Sequence, residues 1–193
     1  MREPGAMLRW TRVVAMVVAL GAVGTSTSVA RGAPQIGTGL TAGGALTDLR
    51  ASNGPRFAFH LGGRLDVLFL RERAGTMALG PYVDVATAAF DTFESGGGIE
   101  WLVPAGDTAF ILSAGGFART SRFGWEPGAA GTLFWGSRSF NYHSTYSLGA
   151  GLFAQGRYGL AGDGKQADVI FGAQVDLEYF ALPFLFLYQA IAR

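Results

Sequence analysis

The sequence predicts an all-β chain: an antiparallel up-and-down transmembrane β-barrel of about eight strands, preceded by a cleaved signal peptide. Three observations point there. The chain is 49% hydrophobic with a mean hydropathy of +0.27, yet outside the N-terminus it offers no run of about 18 or more apolar residues to make a spanning helix. Thirty glycines and fifteen phenylalanines stand against only 15% charge, a balance that favours strands over helical bundles. Finally, residues 57–71 (FAFHLGGRLDVLFLR) alternate. Phe57, Phe59, Leu61, Leu65, Val67 and Phe69 fall on one face of a strand, and His60, Arg64 and Asp66 on the other. A soluble sandwich turns the apolar face inward, whereas a membrane barrel turns it to lipid and keeps the charges in a narrow lumen.

A length of 193 residues suits one domain. Residues 1–30 read as an export signal: Arg2, Arg9 and Arg12 form a basic start, Val13 to Gly24 an apolar core, and Ser28-Val29-Ala30 a small-x-small cleavage pattern. A retained signal anchor is the alternative, and the shortness of the apolar core argues against it. The barrel domain is then 31–193, with the tail 179–193 unassigned. Net charge is +1 for the whole chain and −1 without residues 1–30, so there is no nucleic-acid footprint. The absence of cysteine excludes disulfides and thiolate metal sites.

Along the chain, residues 37–48 form a weak first strand with Leu40 and Leu46 on one face. Ser52-Asn53-Gly54-Pro55 is a turn, and the strand 57–71 follows. Residues 79–90 alternate Leu79, Val83 and Val85 against Tyr82, Asp84 and Ala86. Residues 94–103 place Ile99, Trp101 and Val103 on one face with Glu100 between them. Gly96-Gly97-Gly98 marks a bend or bulge in that strand; no helix and no Lys-Ser/Thr follows to make it a phosphate cradle.

Pro104-Ala105-Gly106-Asp107 is a tight turn. Residues 108–119 set Phe110, Leu112 and Ala114 outward and Ser113, Gly115 and Arg119 inward, with Phe117 on the unexpected face. Residues 121–128 read as a loop. Residues 130–138 set Leu133 and Trp135 against Thr132, Gly136 and Arg138. Residues 145–158 put Tyr146, Leu148, Leu152 and Tyr158 outward and Ser147, Gln155 and Arg157 inward. Residues 167–178 oppose Val169, Phe171, Val175 and Leu177 to Asp168, Gln174, Asp176 and Glu178.

The inward charges make the candidate site. Arg64, Arg119, Arg138 and Arg157 stand against Asp66, Asp84, Glu100, Asp176 and Glu178. An eight-stranded interior is just wide enough for side chains to fill, and unpaired burial of charge is costly. The expectation is a plugged lumen held by arginine–carboxylate pairs; an ion-conducting pore is the alternative that the strand count argues against. Trp101, Trp135 and Tyr146 fall near the rim that carries the N-terminus, Phe57 and Tyr158 near the other, as two interfacial bands would.

Little chemistry is visible. The histidines are His60 and His143. Within Asn141-Tyr142-His143-Ser144 the histidine and serine point to opposite sides of a strand, so they do not form a nucleophile–base pair there. His60 shares its face with Arg64 and Asp66 and reads as a hydrogen-bonded lumen residue. No metal-ligand spacing occurs, and no cofactor, metal or catalytic residue is expected.

In its signal segment, alternating strands, Trp/Tyr edges and charged inner face, the chain resembles the small bacterial outer-membrane β-barrel proteins of the eight-stranded type, over about residues 37–178. The resemblance implies a non-enzymatic barrel in the outer membrane of a Gram-negative-type bacterium, contacts with outer-membrane lipid, and the barrel-insertion machinery as a partner during biogenesis. It transfers no functional residues. Two departures stand out. Such barrels typically close on a C-terminal aromatic, whereas this chain ends Ile191-Ala192-Arg193, and residues 179–188 (YFALPFLFLY) are apolar on both faces and hold Pro183. That tail reads equally as more strand, an interfacial helix or a segment against a partner. A secreted lipocalin-like barrel with an apolar ligand is the second functional expectation; a lipid-modifying barrel enzyme built on His143 is a third.

Overall fold

A computed structural model describes residues 34–121, 124–140, 147–160 and 166–180. Residues 1–30, read from the sequence as an export signal, His143 with its neighbours 141–146, and the tail from 181 onward lie outside the described residues. Eight strands follow one another: β1 (Gln35–Thr47), β2 (Arg56–Leu68), β3 (Ala78–Ala88), β4 (Thr92–Ala105), β5 (Thr108–Ser121), β6 (Gly124–Arg138), β7 (Gly149–Gly159) and β8 (Ala167–Asp176). Each pairs antiparallel with the next, and β8 pairs with β1 from Gly39↔Asp176 to Leu46↔Val169, closing the barrel. One rim, the terminal rim, carries the start of β1 and the end of β8; the far rim carries the β1–β2 and β7–β8 connections.

Alternation decides which way each strand faces. Leu40, Leu61, Leu65, Val85, Ile99, Leu112, Leu133, Leu152 and Phe171 are exposed on the outside, while Asp66, Glu100, Arg119, Arg138, Arg157 and Asp176 are buried inside. The interior also holds apolar side chains. Leu68, Leu102, Ile111 and Phe134 pack together towards the terminal rim, and Phe153, Ile170 and Ala45 lie further along. Outward aromatics gather at the two ends: Phe69, Trp101, Phe110, Trp135, Tyr179 and Phe180 towards the terminal rim, Phe57, Phe90, Phe93, Trp125 and Tyr158 towards the far one.

Several boundaries differ from the sequence reading. Residues 121–128 are not a loop: Ser121 pairs with Gly124, Thr120 with Trp125 and Arg119 with Glu126. Pro127 is tolerated because its carbonyl accepts the Leu160 N–H at 2.8 Å, beyond the last β6–β7 pair, Gly128↔Gly159, where a missing donor costs least. The turn expected at 104–107 shrinks to Gly106-Asp107, with Pro104 and Ala105 still paired to Ala109 and Thr108. Gly106 supplies the left-handed φ of 64° that so tight a hairpin needs. β3 ends at Ala88 because Ala89 and Phe90 both take left-handed φ, 51° and 60°. β2 stops at Leu68, and Leu70 at φ 65° redirects the chain. After β8 residues 178–180 turn helical, Phe180 N–H bonding the Leu177 carbonyl at 3.0 Å, so the strand does not continue into the tail there.

The glycine content has a geometric cause. Gly98 stands opposite Gly115, Gly136 opposite Gly151, and Gly43 opposite Gly172, all on the inner face. A Cβ on Gly115 would lie 2.2 Å from the Gly97 carbonyl oxygen, and one on Gly136 2.3 Å from that of Ala150. The strands bend so sharply towards each other at these pairs that no side chain fits between them. The Gly96–Gly98 stretch is therefore a bend, and its pairing with β3 and β5 runs on without a bulge. Outward Gly156, by contrast, has open space where its Cβ would be. Gly115→Val is expected to lower stability by about 1–3 kcal/mol through overpacking, and Gly156→Ala to leave it unchanged or raise it by about 0.4–1 kcal/mol. Urea titration followed by tryptophan fluorescence separates the two.

Candidate functional site

The charged interior divides into two clusters. Towards the terminal rim, Arg64 on β2 donates from Nη2 to Glu100 Oε2 at 2.6 Å and Ser113 Oγ at 2.7 Å, its guanidinium lying 3.8 Å from the centre of the inward Tyr82 ring. Arg138 on β6 pairs with Asp66 on β2 and reaches Asp176 Oδ2 on β8 at 3.5 Å. Two cations thus meet three carboxylates, and the side chains of Arg138 and Asp176 are fully buried.

Towards the far rim the second cluster turns on Arg119. Its Nε donates to Glu94 Oε1 at 2.6 Å, Nη1 reaches Glu126 Oε2 at 3.5 Å, and Nη2 pairs with Asp168. Arg157 pairs with the other oxygen of Glu94 and donates from Nε to Gln155 at 2.9 Å. Phe117, the aromatic on the unexpected face, is buried beside both guanidiniums, 5.2 Å from Arg119 and 5.9 Å from Arg157. Its inward position is a cation–π support rather than a flaw in the alternation. Asp168 also accepts the Asp48 backbone N–H at 3.0 Å, tying the cluster to the β1–β2 connection.

Between the clusters sits His60, buried, with Nε2 3.2 Å from the Thr41 hydroxyl and its ring 5.8 Å from that of Phe153. Among the described residues its Nδ1 has no hydrogen-bond partner, so the Thr41–His60 pair has no carboxylate there of the kind that orients a catalytic base. Asp84, half-buried, lines a void of about 20 Å³ with His60, Arg64, Gln155 and Arg157. Glu178 lies past the end of β8, half-buried, and both its carboxylate oxygens accept from the Thr38 hydroxyl at 2.9 and 3.0 Å. Thr38 is on the outer side of β1, so Glu178 sits at the terminal rim and makes no ion pair to either cluster among the described residues.

Four charged members escaped the sequence reading of the network. Glu94 shares the parity of Glu100, which was the available signal. Asp168 was read as inward but not joined to Arg119. Glu126 was hidden by the presumed loop. Arg71 folds back under the terminal rim, buried, where Nη1 donates to Gln35 Oε1 at 3.0 Å and the Ser139 carbonyl at 2.9 Å, and Nη2 to the Arg138 carbonyl at 2.8 Å. Burial first, and the Arg138 charge second, push its guanidinium down to about 10, leaving it a cation at neutral pH.

Among the described residues no group of three or more His, Asp or Glu side chains is placed to hold a metal ion. The interior is crowded: besides the small void, a vestibule of about 100 Å³ opens at the far rim, walled by Glu94, Arg119, Arg157 and Asp168. No family model, curated protein or solved structure matches this chain.

Removing one member of a buried ion cluster leaves its partners uncompensated. Arg138→Leu, which strands Asp66 and Asp176, is expected to cost about 3–5 kcal/mol in urea unfolding. Adding Asp66→Leu to it should recover part of that loss.

Proposed function

We propose that this chain is a non-enzymatic outer-membrane β-barrel, exported by its N-terminal signal in a Gram-negative-type bacterium, whose filled, charge-paired lumen serves a structural or interaction role in the envelope. The observation that carries this reading is the inverted polarity of the barrel. Every strand turns apolar side chains outward, Val85 and Ile99 being 61% exposed, and the arginine–carboxylate clusters lie inside. In water such a belt would be a continuous apolar surface, which soluble monomers rarely expose beyond a few hundred Å²; lipid covers it at no cost. Strands of 10–15 residues meet the length that a tilted membrane strand requires, and outward aromatics at both rims suit two interfaces.

A lipocalin-like barrel would need the opposite: a polar exterior and an apolar hollow. Inside the lumen the voids of about 20 and 100 Å³ fall short of the roughly 300–1,000 Å³ usual for a small-molecule site and carry charged residues in their walls. The hollow of about 560 Å³ by Ile99, Trp101, Leu112 and Leu133 is an open groove on the outer face.

Two measurements test the proposal. Envelope fractionation should place the protein with the outer membrane, and an unheated sample should run compact on a denaturing gel and shift on boiling. A soluble protein with no shift sinks the membrane reading. Independently, Val85→Arg on the outer face should cost about 2–4 kcal/mol if that face meets the bilayer core, but within about 0.5 kcal/mol if it meets water.

A further inference from the structure

Arg64, Arg71, Arg119, Arg138 and Arg157 are all turned inward, buried and bonded to acceptors. Arg50 is placed in the opposite way. The β1–β2 connection does not stand up from the far rim but folds sideways across the end of β8: Leu49 N–H bonds the Ala167 carbonyl at 2.9 Å, Asp48 N–H bonds Asp168, and Ala51 N–H returns to the Asp48 carbonyl at 2.8 Å. This carries the Arg50 guanidinium over to β7, where Nη1 donates to the Tyr158 phenol oxygen at 2.8 Å and the guanidinium carbon lies 5.8 Å from the ring centre. Tyr158 is on the outer face. The cation is thereby fixed on the outside of the barrel wall, at the far edge of the apolar belt, beside exposed Leu49, Leu160 and Val169.

No carboxylate lies within 4.0 Å of Arg50 among the described residues, and its Nε and Nη2 donors make no bond there. A guanidinium with an open edge is shaped to take two oxygens of one phosphate group. The phenol takes part of the entropy cost by holding the side chain in place beforehand. Val169, on the outer wall of β8 inside the rim, would meet hydrocarbon below that phosphate, which a free ion does not bring.

We propose that Arg50, positioned by Tyr158, binds the phosphate of an anionic lipid headgroup at the far rim. The inference rests on the membrane reading above, since only a barrel spanning a bilayer brings a headgroup to this height. The Leu49–Ala167 and Asp48–Asp168 bonds fix the loop over β8, so the site is formed before lipid arrives. Tyr158 is a positioning residue and Arg50 the binding one.

The test is native mass spectrometry of the detergent-solubilised full-length protein with dioleoylphosphatidylglycerol, dioleoylphosphatidylcholine or inorganic phosphate. The wild type should retain one phosphatidylglycerol in preference to phosphatidylcholine, whose quaternary ammonium neutralises the same phosphate and repels the guanidinium. Arg50→Ala should weaken that one adduct roughly fivefold, the effect of one basic residue at a membrane surface. Arg50→Lys should keep part of it, and Tyr158→Phe should fall between, having the cation without its anchor. Equal retention of both lipids by the wild type, or an unchanged adduct in Arg50→Ala, overturns the proposal. Displacement of the lipid by millimolar inorganic phosphate overturns it as well, because the site would then recognise the free ion. Each variant is first checked for the gel shift on boiling: a wild type without that shift removes the membrane reading itself, whereas a shift without lipid preference removes only the headgroup site.

Discussion

An eight-stranded barrel closes on an interior with room for side chains and little else, and that narrowness governs what the inward positions hold. A charge placed there leaves water entirely, so it must find its counter-charge within the same cross-section. Arginine suits the task because its planar fork serves several acceptors at once. Arg119 draws together Glu94 on β4, Glu126 on β6 and Asp168 on β8. Arg138 reaches from β6 to Asp66 on β2, the strand diametrically opposite in a ring of eight. Arg119 meets Glu94 and Glu126 on its two neighbouring strands, whereas the Arg119–Asp168 and Arg138–Asp66 ties cross the lumen rather than run along the sheet. They brace the wall against flattening in a direction that backbone hydrogen bonds do not cover.

The same narrowness shapes the backbone. A wall of small radius needs strands that bend strongly, and at the paired glycines the bend is tight enough that a methyl group would collide with the neighbouring carbonyl. Filling and bending are thus complementary. Where inward positions carry large groups, such as Phe134, Phe153 and the arginines, they set the width of the lumen; where they carry glycine, they let the wall close around those groups. Phe117 illustrates the fit, an aromatic ring packed beside the two guanidiniums that Glu94 bridges.

Strand order, the eight-strand count and the direction of each face were legible because alternation is strict wherever one side of a sheet is uniform. Leu79, Val83 and Val85 against Tyr82 and Asp84 leave only one way to orient β3. Two kinds of feature were not legible. Inward apolar residues such as Leu102, Ile111, Phe134 and Phe153 sit beside outward ones, so short segments read as continuously apolar and hide the hydrophobic part of the lumen. Strand ends were obscured where turn-forming residues are used within strands: Pro104 and Pro127 imitate loops, yet both stand where the ladder spares a donor or is ending. Losing 121–128 as strand also lost Glu126, hence the partner set of Arg119. Arg71 and Glu178 depend on chain reversals after β2 and β8, which alternation does not encode.

A filled interior restricts where this barrel can meet anything else. The guanidiniums and carboxylates of its two clusters are ion-paired with one another, and the clusters are separated by His60, Phe153 and a void the size of one water molecule. A ligand entering from either rim would have to break ion pairs whose partners then remain buried and uncompensated. On the proposed reading, contacts with other molecules fall to the rims and the outer wall. The fully described β1–β2 and β3–β4 connections are short, residues 48–55 and 89–91, and have little length with which to wrap a partner. What they do instead is seen at Asp48–Ala51, where a few residues laid flat along the rim carry one charged group from the end of β1 to the outer side of β7. A small barrel with a filled lumen gains a chemical feature on its exterior by redirecting a rim connection sideways, and the bonds of Leu49 to Ala167 and of Asp48 to Asp168 hold that feature in place.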